Sequence, residues 1–236
     1  MSKKYKRILL KLSGEGLMGD KPCGIDEAKL DIFAESIKKV YNEGISLCIV
    51  IGGGNFYRGV NNTNKAISRP VADEAGMLAT IINALFLKGA LVQKDVPTEI
   101  LSGLDVPQVV QRYSYRVAQK LLEEKNVLIF SGGTGNPYFT TDTGATLRAL
   151  ESECDALFKA TQVDGVYDSD PKKNPKAVHY KEISYDEVIA KELKVMDMTA
   201  VSMARENHLP IIVFKQDNAS SLLNIINGKG KYTVIK

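Results

Sequence analysis

The stretch FSGGTGNPYFTTDTGATLRA, residues 130–149, joins an apolar strand to a helix through a turn rich in glycine and threonine. Glycine turns at strand-to-helix junctions commonly bind phosphate, because backbone N–H groups approach the ligand closely there. The lysine and serine of the G-x-x-x-x-G-K-[ST] phosphate loop are missing from this turn and from the rest of the chain. A phosphate site here therefore needs a cation supplied from elsewhere in the sequence.

Strand-like and helix-like patterns alternate on both sides of this turn. Strands are predicted over residues 5–12, 46–51, 98–101, 126–133, 156–160 and 210–214, and helices over residues 26–41, 71–91, 113–124, 142–152, 184–191 and 199–206. This order predicts one α/β domain spanning residues 1–236, with a mainly parallel central sheet and helices on both faces. Ligands bind beyond the carboxyl ends of such strands, where LSGEG, IGGGN, SGGTGN and KATQVDGVY are expected to converge.

Composition excludes several other classes of protein. The chain has 236 residues and a formal net charge of only +3, with its basic residues scattered, which argues against nucleic-acid and membrane-surface binding. Its two histidines and three separated cysteines disfavour histidine metal sites, Ser-His-Asp catalysis and a disulfide framework. A charged start without a signal peptide, and no apolar run that approaches bilayer length, predict a reduced, cytoplasmic, soluble protein.

Lys11 is the first candidate for the missing cation. It lies within the first predicted strand, immediately before a glycine cluster. A lysine in a buried strand is costly unless its ammonium group has an anionic partner. From the residues alone, a paired lysine in a buried strand and a solvated lysine on an edge strand are equally consistent with the sequence.

Three further segments carry polar groups toward the same edge. IGGGNFYRG, residues 51–59, offers backbone N–H groups and the forked donor of Arg58. Residues 131–143 add threonine hydroxyls and Asp142, for which the alternative is a helix-capping residue. The segment from Asp164 to Asp170 contains Tyr167, suited to flank a base, and acids suited to a metal or to ribose hydroxyls; an acidic surface loop is equally consistent.

Gly14, Gly16 and Gly19 fit the dinucleotide fingerprint G-x-G-x-x-G. The fingerprint needs a helix that opens inside the motif. Pro22 and Gly24 are expected to delay the helix to about residue 26, which makes a dinucleotide dehydrogenase the weakest alternative.

The segments KLSGE, IGGGNFYRG, RPVADEAGMLATIINAL, SGGTGNPYFTTDT, KATQVDGVYDSDP and KELKVMDMTA together resemble the bacterial uridylate (UMP) kinases, over essentially the whole chain. That family has the amino-acid-kinase fold, a three-layer α/β/α sandwich. The resemblance implies transfer of the ATP γ-phosphoryl group to UMP, giving UDP and ADP in pyrimidine nucleotide biosynthesis. It also implies Mg²⁺ held through the nucleotide phosphates with no direct protein ligand, a homohexamer, and GTP and UTP as possible effectors.

The resemblance also implies roles for individual residues. Those matched to ATP are Lys11, Leu12, Ser13, Gly14, Gly54, Arg58, Thr161, Tyr167 and Asp170. Those matched to UMP are Gly53, Asp73, Thr134, Gly135, Asn136, Pro137, Tyr138, Phe139, Thr140 and Thr141. A segment linked to GTP activation in many members corresponds to Gly19, Asp20, Lys21, Pro22, Cys23 and Gly24.

The expected chemistry is a direct in-line transfer that needs no general base, since UMP phosphate is already anionic at neutral pH. Lys11 neutralises the transferring group, Arg58 is the second cation, and Asp142 orients Lys11 or meets the metal through water. Two alternatives remain open: a carboxylate or carbamate acceptor on the same fold, and a non-catalytic nucleotide sensor.

Overall fold

The computed structural model describes residues 5–57 and 67–236. In these two ranges the chain forms eleven strands and eight helices. The strands are β1 (Arg7–Leu12), β2 (Ser46–Ile51), β3 (Thr98–Ser102), β4 (Gln111–Arg112), β5 (Val127–Ser131), β6 (Ala156–Thr161), β7 (Val166–Tyr167), β8 (His179–Tyr180), β9 (Glu182–Ile183), β10 (Ile211–Lys215) and β11 (Tyr232–Ile235). The helices are α1 (Gly14–Met18), α2 (Glu27–Asn42), α3 (Arg69–Val92), α4 (Tyr115–Glu123), α5 (Thr141–Glu151), α6 (Tyr185–Ala190), α7 (Met198–Glu206) and α8 (Ser221–Ile226).

Nine of the described strands form one sheet in the order β4-β3-β5-β2-β1-β6-β10-β11-β9. Its strand pairs are parallel except for β10 and β11, which are antiparallel. The chain order predicted this mainly parallel sheet, and the prediction is confirmed. β1 lies between β2 and β6, so the edge-strand alternative for Lys11 is wrong.

The two faces of the sheet bury separate apolar clusters, as a doubly covered sheet requires. Along β1, Ile8 and Leu10 face one cluster and Leu9 faces the other. The first cluster is closed by α2, α3 and α8, and the second by α4, α5, α6 and α7. The result is the predicted α/β/α sandwich.

One local prediction is wrong, and one segment contains a strand pairing that the sequence did not predict. A short helix, α1, does open inside the glycine cluster, because the Ser13 hydroxyl accepts a hydrogen bond from the N–H of Gly16 at 3.2 Å and caps it. The helix ends at Gly19, whose φ of 60° breaks it. Residues 164–170 are also more ordered than a loop, since β7 pairs with β8 in an antiparallel hairpin.

Helix α3 contradicts the expectation that no apolar run approaches bilayer length, because its length and composition suffice to cross a membrane. Less than half of the apolar 18-residue stretch within this helix is buried. Ala84, Leu87 and Leu91 pack in the core, whereas Leu78 and Phe86 are exposed on the other side. The helix is therefore a core element that is apolar on more than one face.

Candidate active site

The glycine-rich turns meet at one edge of the sheet. Strands β5, β2, β1 and β6 are consecutive neighbours and parallel, so the loops that follow them leave from the same side. The sequence predicted this convergence, and the structure confirms it.

A buried cluster of three charges occupies this edge. The Asp142 carboxylate lies 3.0 Å from the Lys11 Nζ and 2.6 Å from the Lys159 Nζ, with all three side chains at most 15% exposed. Asp142 is in the first turn of α5, while Lys11 and Lys159 are register partners on β1 and β6. The Lys159 ammonium also donates to the Val195 carbonyl at 2.5 Å.

Lys159 is absent from the sequence prediction, although the same signal marks it. It interrupts the apolar strand ALFKAT just as Lys11 interrupts RILLKL. Only the register of β1 against β6 shows that the two lysines share one carboxylate.

The cluster leaves a net positive charge. Burial by itself raises the pKa of Asp142, but the charges of Lys11 and Lys159 outweigh it and hold the pKa below its usual range. Burial, together with the charge of Lys11, lowers the pKa of Lys159 despite its contact with Asp142. One carboxylate thus faces two ammonium groups, and the uncompensated charge favours an anionic ligand.

A first cavity of about 260 Å³ opens beside Lys11. It brings together ten of the residues named from the sequence: Lys11, Ser13, Gly14, Gly53, Gly54, Asp73, Thr134, Phe139, Thr140 and Thr141. The loop residues Gly135, Asn136, Pro137 and Tyr138 are not part of its lining. Predicted ATP and UMP residues therefore share the walls of one cavity.

The glycines of this cavity are needed for packing between backbones. A Cβ on Gly53 would lie 2.6 Å from the Gly76 carbonyl of α3, and one on Gly14 would lie 2.5 Å from the Gly52 carbonyl. Neither Gly52 nor Gly53 has a positive φ. A turn of positive φ therefore does not require Gly52 or Gly53, and close approach between backbones explains Gly14 and Gly53.

Two buried amides fix the same turn. Asn55 and Asn83 exchange hydrogen bonds of 2.9 and 2.7 Å, and Asn83 also donates to the Gly52 carbonyl at 2.7 Å. Asn55 further donates to the Gly24 carbonyl at 2.9 Å. The segment 19–24 is thereby connected to the glycine turn.

Thr140, and not Asp142, caps helix α5. Its hydroxyl oxygen accepts from the N–H groups of Asp142 and Thr143 at 3.1 and 3.3 Å, and the hydroxyl donates to Asp197. The capping alternative for Asp142 is therefore wrong, and its carboxylate is free to pair with the two lysines.

A second cavity, of about 600 Å³, opens on the Lys159 side. Thr161, Tyr167 and Asp170 lie in its wall with Lys159. The Tyr167 hydroxyl donates to Asp164 at 2.5 Å, and Asp170 accepts the Lys172 N–H at 3.0 Å, which holds the turn after β7. The charge cluster thus stands between two cavities, with one lysine lining each.

The remaining predicted residues lie apart from these walls. Gly19 and Asp20 line a cavity of about 310 Å³ together with Leu12, Ser13, Lys29 and Lys215. Lys21, Pro22, Cys23 and Gly24 do not line it. Arg58 lies outside the described residues. Among the residues that the structure describes, no group of three or more His, Cys, Asp or Glu side chains is suited to hold a metal ion.

The fold and the site together define a class: a three-layer α/β/α protein whose sheet edge combines glycine turns with paired lysines, an arrangement suited to phosphate-bearing ligands. The model of the amino acid kinase family matches residues 6–215. A uridylate kinase of Bacteroides thetaiotaomicron is 48% identical over 232 residues, 98% of both chains.

Solved structures agree with the sequence comparison. The UMP kinase of Ureaplasma parvum superposes with a TM-score of 0.94 at 39% identity and full coverage of both chains. That of Bacillus anthracis gives 0.95 at 37% identity, covering 98% of this chain and 96% of its own. The chain belongs to the amino acid kinase family and, within it, to the uridylate kinases.

Proposed function

We propose that this enzyme transfers the γ-phosphoryl group of ATP to UMP, forming UDP and ADP in pyrimidine nucleotide biosynthesis. The observation that carries the proposal is the Lys11–Asp142–Lys159 cluster, placed between two cavities. A transferring phosphoryl group passes between two anionic nucleotides, so fixed cations at the crossing point lower the barrier. The uridylate kinases among its relatives support UMP as the acceptor.

The two cavities receive different substrates in this proposal. UMP occupies the first cavity, against Gly53, Asp73 and the loop from Thr134 to Thr141, and ATP directs its base and ribose toward Thr161, Tyr167 and Asp170. The ATP phosphates reach Lys11 along Ser13, Gly14 and Gly54. Because Lys11 lines the first cavity and Lys159 the second, and both pair with Asp142, the reacting phosphates meet at this cluster.

Lys11 and Lys159 neutralise the transferring group and the leaving phosphates, and Asp142 positions both ammonium groups. Arg58 remains a predicted second cation. The UMP phosphate is the nucleophile and is already ionised, so no general base is required. The described acids do not form a metal cage, and we propose that Mg²⁺ is held by the nucleotide phosphates, whose charge it neutralises.

Measurement of ADP release from ATP and Mg²⁺ tests this proposal, with UMP, CMP, dUMP, acetylglutamate and aspartate offered separately. Turnover with UMP is expected, and Lys11→Ala should lower the rate about 10²–10³-fold. Lys88→Ala, which removes a lysine from a partly exposed ion pair with Glu99, is the matched control and should not change the rate.

Other outcomes identify the alternatives. Turnover with an amino acid would favour a carboxylate acceptor on the same fold. UMP binding without turnover of any acceptor would favour the nucleotide sensor.

We further propose that the enzyme assembles through the outer face of α3, toward the homohexamer expected from its family. Val71, Leu78, Ile82, Leu85 and Phe86 are each 39–54% exposed on this one helix. Such a face is costly in water, and a second copy of the same apolar face covers it symmetrically. Light scattering should show Phe86→Asp as a smaller species than the wild type; an unchanged mass would refute this interface.

We also propose that the enzyme is cytoplasmic and that GTP and UTP change its activity. The bonds from Asn55 to Gly24 and Asn83 support a connection between the segment 19–24 and the substrate-side turn. Initial rates of ADP release, measured with and without GTP or UTP, test the effects of these two nucleotides.

A further inference from the structure

The loop 134–141, which lines part of the first cavity, is attached to helix α3 through one carboxylate. Asp73 accepts the Tyr138 N–H at 2.8 Å. Its two oxygens also accept the Arg69 Nε–H, at 2.8 and 2.7 Å. The Arg69 guanidinium carbon lies 5.6 Å from the centre of the Tyr138 ring. We call this group, Arg69, Asp73 and Tyr138, the α3 latch.

The latch holds a strained residue in place. Tyr138 has a φ of 71°, in the left-handed region that bulky residues rarely adopt. Its side chain is 68% exposed, so core packing does not hold that conformation. Local strain of this kind persists only where surrounding contacts fix it, and the described contacts of Tyr138 are those to Asp73 and Arg69.

Arg69 also changes the charge of the cavity. Asp73 lines the cavity beside Lys11 and is only 12% exposed. Without a counter-ion, its carboxylate would repel an anionic acceptor and would be free to turn away from the loop. Arg69 neutralises the carboxylate and fixes its direction, which leaves acceptor capacity for a ligand hydroxyl.

We propose that Arg69 is a positioning residue for the phosphorylated acceptor, acting through Asp73 and the main chain of Tyr138. The latch holds the loop at the wall of the acceptor cavity, and its residues do not line the cavity on the Lys159 side. This inference rests on the proposed UMP kinase activity for the identity of the acceptor. It predicts a selective effect on the acceptor, with little effect on ATP.

Steady-state kinetics of Arg69→Ala and Arg69→Lys test the proposal. The KM for UMP should rise about tenfold in Arg69→Ala, as expected when a charge-assisted bond is lost. The KM for ATP should change less than about twofold, because Thr161, Tyr167 and Asp170, assigned to its base and ribose, line the other cavity. Arg69→Lys should recover part of the loss, because it restores the charge but not the planar donor.

Arg205→Ala is the matched control. Arg205 is 43% exposed, against 41% for Arg69, and pairs with Asp186 at 2.9 Å on the other face of the sheet. It should leave both KM values unchanged. A similar rise of both KM values in Arg69→Ala, a fall in kcat alone, or no recovery in Arg69→Lys would overturn the positioning role.

Hydrogen exchange of the ligand-free protein gives a readout that does not depend on activity. Peptides covering residues 133–140 should exchange faster in Arg69→Ala than in the wild type, and unchanged protection would refute the latch. If the wild type fails to phosphorylate UMP while Arg69→Ala still loosens this loop, the proposed function fails and the latch stands.

Discussion

Asp142→Asn is the substitution that tests the charge cluster most directly, because it removes one charge and keeps the shape of the side chain. The wild-type carboxylate pairs with Lys11 at 3.0 Å and with Lys159 at 2.6 Å, in a position only 15% exposed. The amide leaves two buried ammonium groups facing each other without a counter-ion. Removing one partner from a buried ion pair typically costs about 3–5 kcal/mol.

That loss corresponds to a fall in Tm of about 6–20 °C for a domain of this size. We expect kcat to fall about 10²–10³-fold as well, because neither lysine remains oriented toward the phosphates. ATP should raise the Tm of Asp142→Asn more than that of the wild type, since the triphosphate supplies the missing negative charge.

The pH dependence of stability follows from the direction in which folding shifts the pKa of Asp142. The pKa of Asp142 is lower in the folded protein than in the unfolded chain, so the pair stabilises the fold above the ordinary carboxylate pKa. This stabilisation is lost as pH falls through the depressed value. Asp142→Asn should therefore show a flatter acid limb than the wild type.

Thermal unfolding and initial-rate assays provide these measurements. Glu99→Gln makes the same change in a partly exposed ion pair, with Lys88 at 2.8 Å, and should stay within about 1 kcal/mol of the wild type. An Asp142→Asn protein with wild-type Tm and kcat, or one whose Tm ATP does not raise further than that of the wild type, would refute this account of the cluster.

The other predictions concern four single positions. Lys159→Met should lower kcat about 10²–10³-fold in the ADP-release assay while Asp142 stays paired with Lys11; a wild-type rate would remove Lys159 from the mechanism. Gly53→Ala should destabilise the protein by about 1–3 kcal/mol in denaturant unfolding, because its Cβ would lie 2.6 Å from a backbone carbonyl of α3. Gly89→Ala, in open space on α3, should instead stabilise it by about 0.5–1 kcal/mol. Burial and Lys231 lower the pKa of His179, so Tm should fall as pH drops from about 6.5 through the folded value. His179→Gln should reduce that fall in Tm. An unchanged dependence of Tm on pH would contradict the attribution of the fall to His179.

Local sequence pattern predicted the central strands and most of the long helices, because their apolar periodicity depends only on which faces are buried. It failed at α1, where capping by Ser13 and the close approach of Gly14 to the next turn decide the conformation. It also failed to show the β7–β8 hairpin, because two-residue strands have no periodicity. The apolar length of α3 gave no hint that its two faces have different environments.

The sequence alone shows that the fold is α/β, that glycine turns follow the central strands, and that Lys11 interrupts an otherwise apolar strand. These are properties of neighbouring residues, which local physical chemistry constrains. The folded chain adds that β1 is a central strand, that Lys159 joins Lys11 on one carboxylate, and that Arg69 fixes Asp73 against Tyr138. The partners of Asp142 are 131 and 17 residues away from it, and Tyr138 is 65 residues from Asp73. Such contacts depend on strand register and helix packing, and no local pattern in the chain specifies them.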